Sequence, residues 1–122
     1  MLHIIDDEEG IRELLASFAK LTGFESKVFC SANSYLEYLE SDSYVPPKAL
    51  ITDINMPDSM GCVVSHPLKS KYPDVTLIVM SGFLEQCDTR CCKRHRAHGL
   101  IDYSLPKPFK MAQLIEILEA IR

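Results

Sequence analysis

Ala49-Leu50-Ile51-Thr52-Asp53-Ile54-Asn55-Met56-Pro57 sets an apolar run directly against the string D-I-N-M-P. The run reads as a buried strand, and Asp53 stands where that strand gives way to a loop. A carboxylate in that place is a poor structural element but a good nucleophile or metal ligand. The pair Asp6-Asp7 repeats the setting after the first apolar run, Leu2 to Ile5. If the two strands are neighbours in one parallel sheet, three carboxylates crowd one of its edges. Like charges about 4 Å apart repel by on the order of 4 kcal/mol at an effective dielectric of 20, a penalty that a divalent cation removes. Oxygen-only ligands suit Mg2+ or Mn2+, with coordination positions left open to a phosphoryl oxygen.

Working outward, short apolar runs alternate with helical patterns. Ile11, Leu14, Leu15, Phe18 and Leu21 recur at helical spacing, and Gly23 ends that helix. Lys27 to Cys30 is a weaker second strand, and Ser31 or Asn33 can cap a helix bearing Tyr35, Leu36 and Leu39. Pro46-Pro47 breaks the chain before strand 3, Ala49 to Thr52. Val75 to Met80 is the clearest strand, Leu100 to Leu105 a fifth, and Met111, Leu114, Ile115, Leu118 and Ile121 stripe a last helix. Pro67 lies inside the helix expected after Gly61. A proline costs roughly 3 kcal/mol in a helix interior, so a kink or a late start is expected there. The polar stretch Glu85 to His98 reads as partly helical at most.

Strand and helix alternating five times predict an α/β domain, a doubly wound parallel sheet covered on both faces. Ligands bind such sheets at the carboxyl ends of the strands. Asp6, Asp7, Asp53, Ser81 and Lys107 all fall at predicted strand ends or just beyond. Each also has a plainer reading. Asp6 and Glu9 fit a D-x-x-E capping pattern, Asp53 a turn aspartate, Ser81 a cap hydroxyl and Lys107 a solvated surface residue. Lys107 stands between Pro106 and Pro108, so it emerges from a rigid turn. Beside three carboxylates it would pair with one of them or with a bound phosphoryl group. Ser81 could donate a hydrogen bond to that group, with Gly82 leaving room beside it.

The chain has 122 residues, 47% hydrophobic and 25% charged, with a net charge of −4 and a pI near 5.5. That size predicts one domain, residues 1–122, and the acidic excess argues against general nucleic-acid binding. No apolar run approaches the roughly 20 residues that span a bilayer, and the acidic start is unlike a secretory signal. Five cysteines, an odd number without scaffold rhythm, fit reduced thiols and a cytoplasmic setting. Cys87, Cys91, Cys92, His95 and His98 have the residue types of a zinc site but poor spacing for one. The basic cluster Arg90, Lys93, Arg94, Arg96 reads as a solvated face or as a patch for an acidic partner.

Taken together, the set resembles the receiver domain of two-component response regulators, the CheY-like superfamily. The matching residues are Asp6-Asp7, D-I-N-M-P with Gly61 following, Y-P-D-V at Tyr72 to Val75, Ser81-Gly82, and K-P-F at Lys107-Pro108-Phe109. The resemblance spans essentially the whole chain and implies a flavodoxin-like fold with strand order 2-1-3-4-5. It implies that Asp53 accepts a phosphoryl group from a histidine kinase or a histidine phosphotransfer protein. Asp7, Asp53 and the backbone carbonyl of Asn55 would ligate Mg2+, with Asp6 acting through water. Lys107 and Ser81 would hold phosphoryl oxygens, and Asn55 and Phe83 would tune hydrolysis. The domain would catalyse its own phosphorylation and dephosphorylation without being a conventional turnover enzyme. Signalling to a downstream output domain or protein would follow from population shift of the last strand and helix. Neither direct nucleic-acid binding nor membrane insertion is implied. Whether the phosphorylated state dimerises, and whether the domain is free-standing, stay open.

Two departures stand out. Typical receivers carry a switch aromatic three places before the lysine, where this chain has Ser104, with Tyr103 one step earlier. Strand side chains alternate, so either a bulge restores Tyr103 or that switch is absent. The interval from Ser81 to Lys107 is also longer than usual. Two alternatives to a phosphorylatable switch remain at this point: an interaction module that keeps the fold and signals without phosphorylation, and a haloacid-dehalogenase-like phosphatase. The latter wants a second aspartate where Asn55 stands.

Overall fold

The computed structural model describes residues 1–53, 61–81, 101–106 and 109–121, and of Gly61, Cys62 and Ser81 the backbone alone. Five strands, β1 (Leu2–Ile5), β2 (Ser26–Phe29), β3 (Ala49–Asp53), β4 (Thr76–Ser81) and β5 (Tyr103–Pro106), form one sheet. Every pairing is parallel and the order is β2-β1-β3-β4-β5, as expected. Among the described residues, α1 (Glu9–Leu21), α2 (Ala32–Leu39), α3 (Ser65–Lys71) and α4 (Met111–Ala120) cover its two faces. None of these helices is long and apolar enough to cross a membrane.

Side-chain alternation divides the core in two. Leu2, Ile4, Ala49, Ile51, Ile78, Met80 and Leu105 pack with Leu15 and Ala19 of α1 and Leu114 and Leu118 of α4. Ile5, Leu50 and Leu77 pack with Ala32, Tyr35 and Leu39 of α2 and Val64 and Leu68 of α3. Strands covered on both sides read as unbroken apolar runs, which is why β1 and β3 are buried at every position while edge strand β2 is not.

Local chemistry sets the boundaries. Gly23 takes φ 88°, its amide bonds to Lys20 O at 3.1 Å, and Phe24 N bonds to Ala19 O at 2.8 Å. These two bonds make a Schellman motif that closes α1, and the left-handed φ is one that glycine adopts without strain. Ser31 caps α2 by accepting from Ser34 N at 3.1 Å. Pro67 is accommodated by a late start. A 3-10 turn occupies Gly61–Val64, so Pro67 becomes the third residue of α3, where its missing amide would have had no intrahelical partner. β5 begins later than the apolar pattern suggests. Asp102 occupies the preceding step, its Oδ2 accepting from Leu77 N at 2.7 Å and from Lys69 Nζ at 2.7 Å. The segment Glu85 to His98 lies outside the described residues.

One buried polar chain lies on the α2 side. His3, fully buried on β1, bonds through Nδ1 to Tyr35 Oη at 2.9 Å, and Tyr35 Oη bonds to Tyr44 Oη at 2.5 Å. Phe29, Tyr38 and Tyr44 stand edge-on to the imidazole at 5.6–5.8 Å. Burial, and after it the charge of Lys27, hold the His3 pKa down at about 4. In an unfolded chain it would be about 6.5, so the unfolded state binds the proton first and stability falls as pH drops from 6.5 toward 4. Unfolding free energy from denaturant titration is expected to be about 2 kcal/mol lower at pH 5 than at pH 7. His3→Leu should flatten most of that difference.

Candidate metal and phosphoryl-acceptor site

The β1–β3 register places Ile5 opposite Thr52, so Asp6 and Asp53 leave adjacent strands at the same level. Alternation puts Asp53 in line with Ile51 and Asp6 in line with Ile4, on the α1/α4 face of the sheet. The two carboxylates therefore emerge side by side, and Asp7 follows at the turn into α1. One carboxylate oxygen from each of Asp6, Asp7 and Asp53 lies within 4.8 Å of the others. Asp6 and Asp53 are buried and Asp7 is exposed. Mg2+–oxygen bonds of about 2.1 Å put its ligand oxygens about 3–4 Å apart. The trio is thus the right size for a small hard cation, with slack for one carboxylate to act through a water.

The turn carrying Asp6 and Asp7 is fixed at several points. Asp6 N donates to Phe29 O of β2 at 3.1 Å. Asp6 Oδ1 accepts from Glu8 N at 2.9 Å. The main-chain carbonyl of Asp6 accepts from Arg12 Nη1 at 2.7 Å. The D-x-x-E capping expectation is corrected here: Glu8 occupies the N-cap of α1 without a side-chain cap bond, and Asp6 closes an Asx-type turn one step earlier. The strand end at Asp53 is held from the other side by Thr52 Oγ1, which donates to Asp53 O at 3.1 Å.

At the same sheet edge, Met80 pairs with Asp53 and Ser81 with Pro106. The backbone thus brings the ends of β3, β4 and β5 together, with Lys107 next in the chain after Pro106. The side chain of Ser81 and all of Asn55, Phe83 and Lys107 lie outside the described residues, as do Cys87, Cys91, Cys92, His95 and His98. Tyr103 and Ser104 are described. β5 runs in unbroken register from Tyr103 to Pro106, without a bulge. Tyr103 packs on the α1/α4 face beside Leu105, and Ser104 is exposed on the opposite side. Arg12 was not legible as a contact of this turn. Its only sequence cue is a cation in a helix otherwise opening with Glu8, Glu9 and Glu13.

The family model described as "Response regulator receiver domain" matches residues 2–119. The chain belongs to the response regulator receiver domain family. Among curated relatives, the DNA-binding transcriptional regulator NtrC of Proteus hauseri is 30% identical over 116 residues, covering 95% of this chain and 23% of that protein. The transcriptional regulatory protein FixJ of Rhizobium meliloti is 30% identical over 118 residues, covering 97% of this chain and 54% of that protein. The receiver domain therefore spans between about a quarter and half of the relatives it matches. Among solved structures, a CheY-like receiver domain from Methylobacillus flagellatus superposes with a TM-score of 0.79 at 24% identity, covering 99% of this chain and 97% of that one. The response regulator TrrA of Thermotoga maritima, solved in complex with Mg(2+)-BeF, gives 0.80 at 23% identity over the same shares. Both likenesses establish the fold.

Proposed function

We propose that this receiver domain is a phosphorylatable switch, residues 1–122 acting as one unit, in which Asp53 is the phosphoryl acceptor. One observation carries the reading: Asp53 is a buried carboxylate at a strand end, with the oxygens of Asp6 and Asp7 within 4.8 Å of it. Such a trio fits a divalent cation, Mg2+ or Mn2+. Asp7 and Asp53 would hold it directly, the main-chain carbonyl of Asn55 would complete the protein ligands, and Asp6 would act through water. When bound, the cation supplies positive charge that neutralises phosphoryl oxygens.

The chain's own part is positioning. An Asp53 carboxylate oxygen attacks phosphorus, the nitrogen–phosphorus bond of a donor phosphohistidine breaks, and the released imidazole takes a proton from solvent. Ser81 and Lys107 are assigned to the phosphoryl oxygens, and Phe83 and the Asn55 side chain to governing water access. Hydrolysis then returns Asp53 to a free carboxylate and releases phosphate. The donor would be a histidine kinase or phosphotransfer protein in the cytoplasm, and the readout an output domain or protein. With Tyr103 turned to the α1/α4 face, the changing surface would be the Ser81 loop and the Ser104 side of β5.

Incubation with a small acyl phosphate and Mg2+ should add one phosphate to the intact mass, and a chelator should prevent it. A protein whose mass never changes would be an interaction module that keeps the fold and signals without phosphorylation. Turnover of a phosphate ester would instead indicate a phosphatase.

A further inference from the structure

We infer that Arg12 is a positioning residue for the acidic centre, one that sets the centre's affinity for its cation by holding the Asp6–Asp7 turn. The inference rests on the proposed metal role of that trio and adds to it a residue outside the carboxylate set.

The observation is the 2.7 Å bond from Arg12 Nη1 to the main-chain oxygen of Asp6. β1 ends at Ile5, so the Asp6 carbonyl has left the sheet ladder while its residue is fully buried. A carbonyl there needs a donor, and a guanidinium gives a shorter and stronger bond than a neutral group. The choice of partner is informative. Arg12 shares a shallow recess with Glu9, Glu13, Ala16 and Val28, yet among the described residues it forms no ion pair with either glutamate. The side chain reaches back along α1 to the turn. The carbonyl it grips belongs to the peptide that joins Asp6 to Asp7. With Asp6 N on Phe29 O and Asp6 Oδ1 on Glu8 N, that third bond fixes the plane of this peptide and so the departure of the Asp7 side chain.

Two effects of Arg12 on cation binding oppose each other. As a positive charge near three carboxylates it competes with Mg2+. As a clamp it pre-aligns ligands that otherwise would be ordered at the expense of binding. Arg12 is half-buried, so solvent screens its charge, whereas the bond it makes is short and directed. The clamp therefore dominates, and the sign of the mutant effect is opposite to the one that charge alone predicts.

The test is calorimetric Mg2+ titration of the whole chain as wild type, R12M and R12K, with denaturant unfolding of each in the absence of metal. R12M should weaken Mg2+ about tenfold, in the range found when partners of metal ligands are removed. R12K keeps the charge without the planar fork and should fall between R12M and wild type. A purely structural Arg12 would lower unfolding stability and leave Mg2+ affinity unmoved. Unchanged or tighter Mg2+ binding in R12M, or in R12K should R12M not fold, overturns the inference alone. A wild type that binds no Mg2+ overturns the metal reading and this inference with it.

Discussion

Asp53→Asn should end phosphoryl uptake. The amide matches the carboxylate in size, so the variant is expected to fold, but its oxygen is not a nucleophile. Uptake from an acyl phosphate with Mg2+ should fall by at least about a thousandfold, to the detection limit of intact-mass measurement. The size of the effect follows from the position. Asp53 is 5% exposed and ends β3, between β1, which leads into Asp6, and β4, where Met80 is its partner. Residual uptake in the variant at the wild-type rate would mean that another group accepts phosphorus. Uptake lost together with the fold would be visible in the unfolding transition and would require a milder change.

Asp7→Asn should separate metal binding from folding. Asp7 is the exposed member of the trio, so neutralising it leaves no charge buried without a partner. Unfolding free energy should move by no more than about 0.5 kcal/mol, the usual range for surface substitutions. Mg2+ takes only one or two carboxylates in such sites, so losing one should cost affinity about 10–100-fold. Calorimetry at matched ionic strength reads this directly, and phosphoryl uptake at limiting Mg2+ should fall in parallel while partly recovering at high Mg2+. Wild-type affinity in the variant would remove Asp7 from the ligand set.

The acidic cluster was legible because strand periodicity is local information. Two apolar runs that each end in aspartate must, if paired in parallel, deliver their carboxylates to one edge. The closing of α1 at Gly23 followed from an equally local signal, whereas the sheet order came from the family resemblance. Pro67 was legible as a disturbance, and the 3-10 turn before α3 is its resolution. The place of Tyr103 was legible as a choice between two geometries, and the unbroken β4–β5 register removes the bulge.

What was missed depends on contacts between distant parts of the chain. His3 sits in an apolar run and gave no sign of its partner Tyr35, 32 residues away on α2. Asp6 matched a helix-capping string, yet its carboxylate serves the turn before the helix, because a capping pattern does not specify which residue takes the N-cap. Arg12 belongs to no motif that sets it apart from other cations on an amphipathic helix. Its reach to Asp6 depends on where the strand hands over to the helix, and composition does not encode that.

In the proposed switch, a cation-binding carboxylate trio makes Asp53 the site of phosphorylation. Borohydride reduces an aspartyl phosphate to homoserine, so treating the wild-type chain after acyl phosphate and Mg2+, then mapping its peptides by mass, locates the acceptor. Homoserine at position 53, absent when Mg2+ is chelated, is the expected result. Homoserine at another position, or none with Mg2+ in excess, would rule out Asp53 as the acceptor.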